Sequence, residues 1–161
     1  MTDDKLREVK QRLERYHKLR IGVRAWVERL RLLENLEILP ARGASEAVAH
    51  DNVNGDAMTA TDRRIDFHGM TFPLIEGMKR EMQQIAAEVR KLEDPIEREI
   101  IMLYYIDDTG WRKRKWPEVA VMLYGDCGEA EMQAVFRGRK HALEHLVKIQ
   151  EQMSVNVSEC Q

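Results

Sequence analysis

Gln133, Arg137 and Lys140 stand four and three residues apart, a spacing that aligns them as one stripe on a helix. Arg139 and His141 flank the stripe. Gln suits paired hydrogen bonds to an adenine edge, and Arg the same to guanine. Four consecutive cations, Arg112, Lys113, Arg114 and Lys115, precede the stripe. A cluster of that kind can fix a protein against the phosphate backbone of duplex DNA. A solvated helix face and a solvated basic loop carry the same residue types, so the spacing alone does not decide between them.

Other chemistry is poorly supported. His141, Glu144 and His145 match the inverted zinc-peptidase pattern His-x-x-Glu-His. Such a site needs a third protein ligand and a substrate cleft, and the sixteen residues after His145 offer Glu151 and Glu159 in a tail expected to fray. Two histidines on the surface of a basic helix is the better reading. Cys127 and Cys160 form neither a disulfide framework nor a metal pattern. There is no Gly-rich phosphate loop, no Ser-His-Asp set and no pair of catalytic carboxylates. The expectation is a protein that is not an enzyme and holds no cofactor or metal.

The elements that must position the stripe follow from composition and periodicity. Of 161 residues, 34% are charged and only 6% aromatic, with 9 Gly and 4 Pro. Such a composition favours long, solvent-washed helices over a β-sandwich. No apolar run approaches the length of a membrane span. Met1-Thr-Asp-Asp-Lys5 has no apolar stretch behind it, so no secretory signal and no membrane partner are expected. The formal net charge is −2, but basic residues concentrate in residues 1–37 and 111–148.

Leu6, Val9, Leu13, Tyr16, Val23, Val27 and Leu30 predict a helix over 4–38, with a gap in the seam at Arg20 and a second ridge at Leu19, Trp26 and Leu33. Residues 40–72 lose periodicity and read as a flexible loop whose only anchors are Ile65, Phe67 and Phe72. Pro73 reads as the start of a second heptad helix over 73–93, carrying Ile75, Met78, Met82, Ile85, Val89 and Leu92. Two such helices pack most simply as an antiparallel hairpin, although a self-pairing coiled coil has the same pattern. Asp94, Pro95 and Glu97 form a helix start with a capping box. Pro117 opens a short helix, Tyr124 to Gly128 is a turn, and a longer helix runs from Glu129 to about Gln150. The last residues, 151–161, read as a frayed tail.

Short helix, turn and basic helix is the helix-turn-helix plan. Residues 94–105, 116–125 and 135–143 resemble the promoter-reading fourth region of bacterial sigma factors. More specifically they resemble the phage late-gene transcriptional activators of the RinA/ArpU type. The likeness lies in a helix ending in a Tyr pair, a Trp-x-x-Val-Ala motif at Trp116, Val119 and Ala120, and a helix ending in Ala142-Leu143. It covers about a third of the chain. The step from Tyr124 to Glu131 is longer than the family's turn.

The resemblance implies an all-α protein with an N-terminal helical hairpin over 1–93 and a helix-turn-helix domain over 94–150. It implies a sequence-specific transcriptional regulator of a phage or prophage late operon, acting on double-stranded DNA in the cytoplasm of a bacterial host. Arg112, Lys113, Arg114, Lys115, Gln133, Arg137, Arg139, Lys140 and His141 are its candidate DNA contacts. Host RNA polymerase is the further partner the resemblance implies. One small reading helix argues for a homo-oligomer held by the heptad helices. Two alternatives share the layout: a phage small terminase-like packaging subunit, and a helical interaction module that never touches DNA.

Overall fold

The computed structural model describes residues 3–38, 60–107 and 112–158. Helix α1 spans Asp3–Ile38, α2 Ala60–Arg90, α3 Pro95–Ile101, α4 Trp116–Tyr124 and α5 Glu129–Ser158. The last turn of α3 widens into a π-helical segment, Met102–Ile106. No strand occurs among the described residues. The fold is all-α: α1 and α2 pack against each other, and a helical C-terminal part packs on them.

The seam of α1 packs as its spacing requires, with Val9 and Leu13 buried against the core. The gap at Arg20 has a purpose. Its guanidinium donates to the Ile106 carbonyl at 3.3 Å, where the π segment leaves carbonyls unpaired by the helix. On α2, Ile75, Ile85, Val89 and Leu92 are buried. The second-helix pattern therefore holds, but its boundary moves.

The expected loop over 40–72 is overturned in its last part: α2 begins at Ala60 and passes through Pro73. Proline inside a helix removes the bond to the carbonyl four residues back, here that of Gly69. Gly69 and Pro73 both lie on the exposed side of α2, so water can take that carbonyl. Phe67 anchors this extension through Trp26 of α1, ring centroids 5.9 Å apart. Phe72, expected as an anchor, is exposed. The remainder of the expected loop lies outside the described residues.

Asp94 caps α3 through bonds from the backbone N–H groups of Ile96 and Glu97. Glu97 does not complete the expected box. Its buried carboxylate instead meets His145 Nδ1 of α5 at 2.6 Å. Arg98 donates through Nε and Nη2 to the Leu92 carbonyl and so locks the turn between α2 and α3.

The tail expected to fray at 151 is helical to Ser158. Lys5 of α1 holds Glu151 at 2.5 Å, and Arg12 holds Glu88 of α2 at 2.6 Å while Gln150 donates to the same carboxylate. The first turn of α1 and the C-terminal part of α5 are thus fastened together. One core, including Val9, Leu13, Ile85, Val89, Ile101, Tyr105, Ala142 and Leu146, joins α1, α2, the π segment and α5. The base of the hairpin and the C-terminal helices share it.

Candidate nucleic-acid interface

A second, smaller core sets the angle between α4 and α5. Ile100 and Leu103 of α3 and the π segment, Val119 and Ala120 of α4, and Val135 of α5 are buried together. Helix α3 comes close to α5 at Gly138, where an added side chain would make Ile100 shift. A Cβ on Gly138 would lie 2.5 Å from Ile100 Cδ1.

The turn is Gly125 to Gly128. Gly125 takes φ +80°, and its N–H closes α4 on the Val121 carbonyl at 2.8 Å. That left-handed conformation is one that residues with a Cβ adopt at a cost. The long step after Tyr124 is thus a four-residue turn, and α5 starts at Glu129 as its sequence suggests.

The stripe faces outward. Gln133, Arg137, Lys140 and His141 are exposed on α5, opposite the buried Val135, Ala142 and Leu146. Gln133 lies 3.3 Å from the Glu129 carboxylate. Glu129 and Glu131 occupy the first turn of α5, where they suit the helix dipole but oppose phosphate. Positive charge on the outer face therefore centres further along, at Arg137 and Lys140.

Several other candidates make contacts within the fold. Arg139 is not on the outer face. Its guanidinium sits 4.9 Å from the centre of the Trp116 ring and donates to Tyr105 Oη at 3.2 Å. Arg114 is nearly buried and donates to the carbonyls of Leu103 and Asp107 while pairing with the Asp107 carboxylate. It caps the π segment. The Lys113 ammonium lies over Tyr104 and Tyr105, 4.2 and 4.7 Å from the ring centres. Burial there lowers its pKa from the ordinary lysine value. Arg112 pairs with Glu118 at 2.6 Å. Glu118 also accepts from the Lys115 backbone N–H, and the Arg112 bond, followed by that one, lowers its pKa. Only the Lys115 side chain remains exposed here with no ion pair among the described residues.

Trp116 organises this region. Its ring stacks on Tyr104 with centroids 3.5 Å apart and planes within 10°. Phe136 packs against Trp116 with ring centroids 5.8 Å apart but stays partly in solvent beside the stripe. The sequence reading also missed Val121, Met122 and Tyr124, which α4 leaves exposed next to the turn. Their only sequence signal was an apolar content too high for one buried face on a nine-residue helix.

Of the His141, Glu144 and His145 pattern, His145 meets Glu97 through Nδ1, and among the described residues no group of three His, Cys, Asp or Glu residues is placed to hold a metal. Trp111 and Cys160 lie outside the described residues. No helix among the described residues is long and apolar enough to cross a membrane. No family model, curated protein or solved structure matches this chain.

Proposed function

We propose that this protein is a sequence-specific DNA-binding transcriptional regulator, a late-gene activator of the phage type its sequence resembles. The observation that carries the reading is the exposed polar stripe Gln133, Arg137, Lys140 and His141 on the second helix of a tightly packed helix-turn-helix pair. In this reading α5 lies in the major groove. Arg137 and Gln133 contact base edges, and Lys140 and Lys115 meet phosphates. The basic run at 112–115 serves mainly to hold the unit together, so only a few phosphates are neutralised and the salt dependence is shallow. The exposed apolar residues of α4, Val121, Met122 and Tyr124, are where RNA polymerase would touch.

The test is selection of fragments from the genome that encodes the protein, at about 150 mM salt, where nonspecific binding is weak. Wild type is run beside Arg137→Ala/Lys140→Ala. Enrichment of one fragment by wild type and its loss in the variant supports the reading. Enrichment of nothing by wild type removes it, and leaves α4 and α5 as a protein-binding surface.

A further inference from the structure

The hairpin leaves one face of α1 in solvent. Lys18, Ile21, Ala25, Glu28 and Leu32 follow one another in steps of three, four, three and four, and all are exposed. Ile21 and Leu32 are more than half exposed, at 54% and 55%. Helix α2 lies on another side of α1, where Gly22 approaches Met78 and Trp26 meets Phe67. Scattered exposed apolar residues need no explanation. These stand in heptad register around a small residue, with a cation at one end and an anion near the other.

The order of those charges selects a partner. Take a two-fold axis at the level of residue 23, with two copies of α1 running antiparallel. Ile21 then faces Ala25 of the other copy, Lys18 faces Glu28, and Leu32 lies level with the stem of Glu14, each layer occurring twice. The small Ala25 leaves room for the branched Ile21, so the helices can approach closely. A parallel pair in register would instead set Lys18 against Lys18 and Glu28 against Glu28. Neither Lys18 nor Glu28 has an ion-pair partner among the described residues. We propose that this face is self-complementary and that its occupant is a second copy of the chain, docked antiparallel through α1. The seam is short, so the dimer is reversible. The proposal supplies the oligomer that a DNA-reading protein of this size needs, and rests on that reading only for what the dimer does.

The experiment uses the full chain without DNA, by sedimentation equilibrium from about 1 to about 200 µM, a range that covers weak association. Lys18→Glu and Glu28→Lys are compared with wild type, with helical content checked by circular dichroism. Each single variant places like charges in two layers, and dimerisation weakens about tenfold or more. An equimolar mixture of the two variants recovers wild-type affinity, because every charged layer of the mixed dimer is again Lys against Glu. The double variant Lys18→Glu/Glu28→Lys recovers it too, which covers a single variant that folds poorly. A monomeric wild type at the highest concentration overturns the proposal. So does a dimer indifferent to both single variants, or one that neither the mixture nor the double variant restores. The Arg137→Ala/Lys140→Ala protein dimerises like wild type. If the dimer persists while no DNA is bound by any form, the DNA reading alone has failed.

Discussion

Arg139 and Arg137 lie two residues apart on α5 and are both arginines, yet their surroundings assign them opposite roles. Arg139→Ala removes a charge-assisted hydrogen bond to Tyr105 Oη and a cation over the Trp116 ring. The first contributes about 1.5 kcal/mol or more and the second about 1 kcal/mol in a partly buried setting. Against this, Arg139 Nε is buried with no partner, and deleting it relieves a penalty of about 1 kcal/mol. The packing of the side-chain stem on Trp116 is also lost. The net expectation is a destabilisation of about 2 kcal/mol. With a urea slope of about 2 kcal/mol/M for a chain of this size, the unfolding midpoint falls by about 1 M. Arg137→Ala, fully on the outer face, shifts stability by no more than about 0.5 kcal/mol. Urea unfolding followed by circular dichroism measures both. Equal midpoints for Arg139→Ala and wild type would refute the structural role of Arg139, and a loss in Arg137→Ala as large as in Arg139→Ala would refute the contrast.

Three further outcomes follow from the same packing. Gly125→Ala meets no neighbour within 4 Å, so its cost of about 1 kcal/mol is purely that of φ +80°, and Gly125→Asn costs less; thermal unfolding of the two variants checks the order. Arg12→Ala leaves the buried Glu88 carboxylate with Gln150 alone and destabilises by about 2–3 kcal/mol, with part of the loss recovered in Arg12→Ala/Glu88→Gln, as urea midpoints can show. Glu118 and Glu151 both have folded-state pKa values held below the ordinary 4.5 by Arg112 and Lys5. Their contribution is therefore present above about pH 4.5 and lost as pH falls through the folded values, so the decline of melting temperature below that pH is less steep in Glu118→Gln than in wild type.

The legible parts of this protein were those where local pattern and tertiary demand agree. The heptad seams of α1 and α2 gave the hairpin, Asp94 and Pro95 marked the start of α3, and the glycines after Tyr124 marked the turn. What was hidden depended on contacts distant in sequence. Residues 60–72 have no helical period of their own, and Pro73 argued against a continuous helix; the Trp26–Phe67 contact is invisible in either segment read alone. Residues 151–158 looked unpatterned because one of the interactions that hold them, Lys5 with Glu151, comes from the other end of the chain. A run of four cations reads as a charged loop. The Tyr pair and the bare carbonyls of a π-helical turn recruit Lys113 and Arg114 inward, and nothing in the letters announces a π turn. Arg139 shows the same limit. Helical spacing places it beside the stripe, but only the position of Trp116 turns it toward the core.

Salt dependence of binding tests the proposal that the outer face of α5 reads DNA. With the fragment selected by wild type, the binding constant is measured across about 50–300 mM salt for wild type, Arg137→Ala/Lys140→Ala and Arg112→Ala. Removing Lys140, which meets phosphate in this reading, together with Arg137 lowers the slope of log K against log salt by about 0.9, while Arg112→Ala, whose charge pairs with Glu118, leaves it nearly unchanged. Identical slopes for wild type and Arg137→Ala/Lys140→Ala, at comparable affinity, would contradict the account.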